Sequence, residues 1–209
     1  MNDLNQKENP LLYWFSKIGD FFVLSLLWLL LCLPVVTFIP ACIALYDSVA
    51  HCIHGTEDGC VNRFFRTLKS ELLRGILLSV LWVGISFLLL WGYNILYQMG
   101  QDNQAIAAYS LVYLFTMLIP LGLLAWLIPV ESRFEHSFFS LFKATVVYSI
   151  IHLPTTVLLL IILALALVLV LLLPVLAVLM PAIAVTVQAW FVERVFKKYI
   201  PQEEENEDV

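Results

Sequence analysis

The sequence predicts an all-α fold, a polytopic bundle of transmembrane helices, on three observations. Of its 209 residues, 62% are hydrophobic and only 13% charged, whereas a soluble domain is about 45–50% apolar and about 25% charged. The apolar excess is gathered into four uncharged runs: 26 residues between Asp20 and Asp47, 27 from Gly75 to Gln101, 28 from Asn103 to Val130, and 49 from Ala144 to Val192. A span needs about 20 mostly apolar residues, so the last run holds two. The third observation is that Val157–Leu173 reads VLLLIILALALVLVLLL, without the polar face that a soluble surface helix keeps.

Taken in order, residues 1–10 are polar and end in Asn9-Pro10. Tyr13, Trp14 and Phe15 suit the headgroup level of a bilayer, where amphipathic rings collect. The first apolar run is long and is followed by prolines rather than by small residues, which is not the pattern of a cleavable signal. Pro34 and Pro40 bracket Val-Val-Thr-Phe-Ile and must break or kink a helix there. Residues 41–54 read as another helix, with Gly55 as its stop. In 56–74, Val61, Phe64, Phe65, Leu68 and Leu72 recur at steps of three and four, predicting an amphipathic helix lying on a surface. Spans follow near 75–98 and 105–129, then a polar loop at 131–143, then spans near 146–170 and 175–195 meeting at a turn around Pro174. Residues 1–200 form one transmembrane domain. The remaining segment, 201–209, holds five acids and one apolar residue, too little to bury a core, so it reads as an acidic disordered tail. Without those acids the chain is neutral, and no basic patch supports binding to nucleic acid.

Basic residues set the orientation. The segments 56–74 and 131–144, with the C-terminal flank, hold nine, and the connections at 99–104 and near 174 hold none. The basic segments and the C-terminus are therefore expected in the cytoplasm of a multi-pass cell-membrane protein. Two readings of the N-terminal region stay open. Either residues 18–46 cross once, giving five full spans, or the chain turns back between Pro34 and Pro40, giving six segments with a proline-bounded hairpin. Lys17, which abuts the first apolar run, favours the hairpin. Against it, Asp47 then falls inside a short second helix, where a carboxylate costs about 2.5–3.5 kcal/mol unless it is paired, protonated or wet.

Several strings carry a family likeness: Asn9-Pro10-Leu11, Ile18-Gly19-Asp20, Trp28, Leu33-Pro34-Val35-Val36-Thr37, Ala44-Leu45-Tyr46 and Phe64-Phe65-Arg66-Thr67-Leu68-Lys69. In this order they resemble the YesL-like family of bacterial membrane proteins, in detail over the first third and by span pattern beyond. The chain departs from that pattern at Ser25, Ile39-Pro40 and Leu68. The resemblance implies a carbohydrate-uptake context, with sugar-transporter subunits as partners, and brings no catalytic residue with it.

The candidate sites are few. Asp47, His51, His54 and Asp58 share one helical stripe by their spacing of 4, 3 and 4, with Cys52 and Cys60 nearby. Such groups suit a transition metal or a proton, yet they match no closed ligand pattern. The plainer reading, a wet helix face and no cofactor, is preferred. Cys32 and Cys42 read as small packing residues, and no disulfide framework is evident. His152 is a functional candidate by its place in an apolar run, weighed against a neutral, structurally bonded histidine. Asn94, Thr186 and Gln188 suit interhelical hydrogen bonds. Nucleotide-binding and hydrolase motifs are missing from the sequence, so a non-enzymatic accessory or scaffold protein is expected, with a small-solute transporter or channel as the alternative. The expected docking surface combines Arg63, Phe64, Phe65, Arg66 and Lys69 with Phe138, Phe139 and Phe142. Aromatic anchors ringed by arginine fit a protein interface, and the bilayer is the competing partner for a basic helix.

Overall fold

The computed structural model describes residues 10–54, 59–101, 104–133 and 138–196. It forms eight α-helices among these residues: α1 (Pro10–Cys32), α2 (Phe38–His54), α3 (Cys60–Gly100), α4 (Gln104–Thr116), α5 (Leu118–Arg133), α6 (Phe138–Ile151), α7 (Leu153–Leu172) and α8 (Met180–Phe196). Short 3₁₀ turns, Val35–Thr37 and Pro174–Val178, join α1 to α2 and α7 to α8. No strand occurs among the described residues, so the all-α expectation holds. Three stretches, Cys60–Gly100, Ala108–Arg133 and Leu153–Leu172, are long and apolar enough to cross a bilayer. The acidic tail at 201–209 lies outside the described residues.

The proline-bracketed segment is a reversal of the chain. Near the turn, Trp28 of α1 donates from Nε1 to Cys42 Sγ of α2 at 3.3 Å and sets its ring against Phe38. Farther from the turn, Leu24 packs with Leu45 and Val49. The two helices are therefore antiparallel, as in the hairpin reading. The Thr37 hydroxyl lies within hydrogen-bonding reach of the carbonyls of Leu31 and Pro34, and Leu31 is among the last carbonyls of α1, which lack helical partners.

The hairpin places α2 at the centre. Every residue from 39 to 50 is buried, as expected for a helix that is apolar all round. Ile39 and Ile43 enter one core with Trp126, Leu141, Leu159 and Val192. Ala44, Leu45 and Val49 enter a second with Leu24, Phe64, Leu68 and Ala182. Helices α2 and α3 approach closely at Gly75, where an added Cβ would lie 2.6 Å from Pro40 Cβ.

Two helices begin inside this packing, where water is not at hand for the free amides of a first turn. In each case a serine from another helix supplies the acceptor. Ile39 N–H of α2 donates to Ser79 Oγ of α3 at 3.1 Å, and Ala182 N–H of α8 donates to Ser25 Oγ of α1, also at 3.1 Å. Both sites are buried.

Two boundaries differ from expectation. The amphipathic segment and the following span are one continuous helix, α3, of 41 residues, about 60 Å at 1.5 Å per residue. A separate surface helix needs a break after Arg74, and neither proline nor a turn occurs there. The loop expected at 131–143 is shorter, because α5 continues through Arg133. Its charges find partners on neighbouring helices and so do not end it.

Candidate functional site

Ion pairs tie the central helices together. Asp47 of α2 accepts from Arg63 Nε at 2.7 Å on one oxygen and from Arg63 Nη2 at 3.2 Å on the other, and Thr67 donates to it as well. Arg74 of α3 lies 2.8 Å from Glu131 of α5, and Arg133 of α5 pairs with Glu193 of α8. Glu131 meets Arg74 through Oε1, without a well-directed hydrogen bond at either carboxylate oxygen. Three pairs thus link α2, α3, α5 and α8. Removing Arg63 would leave the buried Asp47 carboxylate uncompensated.

This arrangement bears directly on the Asp47 stripe. Asp47 is buried rather than on a wet face, because Arg63 reaches it from α3. His51 Nδ1 sits 3.0 Å from the Asp47 carbonyl and 3.2 Å from its carboxylate. A metal cation there would have to displace a guanidinium from both carboxylate oxygens. No cluster of three or more potential ligands occurs among the described residues. The side chains of His54 and Asp58 lie outside them. Cys32 and Cys42 are free thiols, but Cys60 is disulfide-bonded, a correction to the expectation of no disulfide. Its sulfur lies 3.8 Å from Asp20, in contact only, since a disulfide sulfur carries no proton to donate.

The residues of the expected docking surface divide. Phe64 is fully buried between α1, α2 and α8, so it holds α3 in place and offers no surface. Arg63 is committed to Asp47. Phe65, edge-on to Phe64, is 50% exposed, and Arg66 and Lys69 are exposed beside it. Phe139 and Phe142 are exposed on α6, Phe139 at 85%; the side chain of Phe138 lies outside the described residues. The sequence spacing put Phe64 and Phe65 on one face, but adjacent helical residues are about 100° apart, and only one of them joins the core.

Other polar candidates turn inward or along their own helix. His152 stacks with Tyr148 and lies tilted against Trp126 at the break between α6 and α7. Thr156 accepts from Trp126 Nε1 at 2.8 Å and bonds back to the carbonyls of Ser149 and His152. Asn94 accepts from Gln98 one turn along α3, and Thr186 bonds the Ala182 carbonyl within α8; neither makes the expected interhelical bond.

Gln188 instead lines a cavity, which sequence spacing did not reveal. About 360 Å³ of space lies between α1, α2, α5, α7 and α8, walled by Trp28, Phe38, Leu124, Leu163 and Val185 among others. Its polar groups are few. Tyr46 lines it, is fully buried, and has a hydroxyl without a hydrogen-bond partner. Tyr46 packs with Ala50 and Ala189.

With that geometry in place, comparison with protein families adds one match: residues 21–93 fit the model described as "Protein of unknown function, DUF624". The matched segment runs from α1 into α3 and includes Ser25, Asp47, Arg63, Thr67 and Ser79. It covers the central hairpin and its partner helix but brings no activity. Neither the curated proteins nor the solved structures contain a match.

Proposed function

We propose that this chain is a non-catalytic, multi-pass accessory protein of the cell membrane that docks a partner through the first half of α3. The observation that carries this reading is the exposed Phe65 with Arg66 and Lys69 beside it, on a helix held from behind by Phe64, Leu68 and the Arg63–Asp47 pair. An aromatic anchor among cations, already fixed in position, loses little conformational freedom on binding. The partner is a membrane protein with an acidic surface. The YesL-like resemblance supports a subunit of a carbohydrate-uptake transporter in that role. The excess of basic residues in 56–74, 131–144 and the C-terminal flank supports a cytoplasmic position for this face and for the C-terminus. A path for a polar solute has less support, because the cavity walls are almost wholly apolar.

A photocrosslinking amino acid at position 65, activated in intact cells, tests the proposal. The expected product is a protein adduct containing transporter subunits, lost when Arg66 and Lys69 are both changed to Glu. Adducts to lipid alone, unchanged by charge reversal, would refute docking to a protein.

A further inference from the structure

We infer that the α1–α2 hairpin is a re-entrant wedge: it enters the bilayer from the side of Arg63, turns among the acyl chains of one leaflet at Leu33–Val36, and returns to the same side without crossing. Helix α3 supplies the scale. Its first half carries Arg63, Arg66, Lys69, Glu71 and Arg74, and from Gly75 to Gly100 it carries no charge. The uncharged part is about 39 Å long at 1.5 Å per residue, enough to cross about 30 Å of hydrocarbon unaided. The hydrocarbon therefore begins near Arg74. The contacts between α2 and α3 fix the level of the hairpin against that boundary. Asp47 meets Arg63 and Thr67, which lie about 16 and 10 Å from Arg74 toward the charged end of α3. Pro40 meets Gly75, and the Ile39 N–H meets Ser79, about 8 Å beyond Arg74 on the uncharged side. Only the turn and the helix ends beside it thus reach the apolar half of α3. A hairpin that crossed would draw Arg66 and Lys69, both exposed, into the hydrocarbon, which is strongly unfavourable. The re-entrant path instead leaves Asp47 level with Arg63, outside the acyl chains.

The turn is suited to lipid in its side chains and in its backbone. Leu30, Leu33, Val35 and Val36 are exposed, Leu33 at 78%, and no charge lies between Asp20 and Asp47. Acyl chains at the level of Ser79 cover this apolar knob and remove it from water. Backbone polar groups in lipid need partners within the protein. Pro34 and Pro40 have no N–H to satisfy. The N–H groups of Leu33, Thr37 and Phe38 donate to the carbonyls of Leu30, Pro34 and Val35, and that of Ile39 donates to Ser79. The Thr37 hydroxyl lies against the carbonyls of Leu31 and Pro34. A turn in water can leave such groups to the solvent.

Depth and sidedness are tested together by fluorescence quenching. The full chain carries an encoded fluorescent amino acid in place of Leu33 or, separately, of Val36. It is reconstituted in phosphatidylcholine vesicles with or without bromine on the acyl chains, and iodide is supplied outside the vesicles or trapped within. Position 88, exposed on the uncharged half of α3, is the lipid-facing reference. Position 65 marks the side of Arg63, in vesicles where iodide reaches it from one side only. Brominated lipid is expected to quench positions 33 and 36 about as strongly as position 88, and iodide is expected to reach neither from either side, provided each variant keeps its helical circular dichroism. Quenching of either position by iodide from the side opposite position 65 overturns the re-entrant path in favour of a crossing hairpin. Absence of quenching by brominated lipid at both positions, with or without access to iodide from the side of position 65, overturns insertion of the turn.

Discussion

Replacing Gly75 by Ala adds one methyl group at a tight helix contact, and its effect can be worked out from the geometry. The new Cβ would stand 2.6 Å from Pro40 Cβ, 2.9 Å from Cδ and 3.0 Å from Cα, where carbon atoms prefer about 3.5–4.0 Å. A flexible side chain could swing aside, but Pro40 is a ring fused to the backbone of α2. The whole first turn must therefore retreat by roughly 1 Å to restore contact distance. That retreat also stretches the Ile39–Ser79 bond, one turn away and already 3.1 Å long. Overpacking of this kind costs about 1–3 kcal/mol, and loss of the amide's acceptor adds about 1 kcal/mol. Opposing them, alanine is favoured over glycine within a helix by about 1 kcal/mol. The net expectation is a destabilisation of about 1–3 kcal/mol. Gly84, on the same helix, supplies the control: nothing lies within 4 Å of its added Cβ, so Gly84→Ala should be neutral or stabilising by up to about 1 kcal/mol. The assay is thermal unfolding of both variants in one detergent, followed by circular dichroism. If Gly75→Ala unfolds no earlier than Gly84→Ala, the close packing of α2 on α3 is refuted.

Three further outcomes are expected. Arg63→Leu should cost about 3 kcal/mol by orphaning buried Asp47, near the lower bound for breaking a buried pair because Arg63 is partly exposed, and Asp47→Leu in the same chain should restore most of it; unfolding of the single and double variants measures this. Ser79→Ala and Ser25→Ala should each cost about 1–2 kcal/mol, the range for losing an N-terminal cap, and their near-additivity in the double variant checks that the two helix starts are separate sites. In cells, an impermeant thiol reagent applied from outside should label a cysteine at Gln101 and not one at Gln202; the reverse pattern would overturn the proposed orientation.

Much of the architecture was legible because lipid leaves few choices. A backbone buried in hydrocarbon must bond to itself, so apolar runs of this length read directly as helices. The reversal at Pro34–Pro40 was legible in the prolines, and the worth of Asp47 was legible as a condition: a carboxylate within a short apolar helix had to be paired. Its partner was not, because Arg63 lies 16 positions away and meets it only once α2 folds back along α3. The apparent loop at 131–143 misled for a related reason. Charged residues mark a helix end only when they need water, and Glu131 and Arg133 have cations and carboxylates on α3 and α8 instead.

The candidate sites show a sharper limit. Spacing on one helix identifies a stripe, but it cannot say which side of the stripe another helix will cover. Phe64 and Phe65 are chemically identical neighbours, and only the position of Leu24, Ala44 and Ala182 makes one a core residue and the other a surface. The serine acceptors were hidden in the same way: Ser25 and Ser79 read as small residues in apolar runs, and their role depends on helix starts 157 and 40 positions away. Tyr46 is the extreme case. Its string Ala44-Leu45-Tyr46 carried part of the family likeness, yet nothing local to it signals an unbonded hydroxyl, since that depends on which groups the helices closing around it bring near. The space between α1, α2, α5, α7 and α8 was hidden for the same reason, since a void between helices is a property of how they meet.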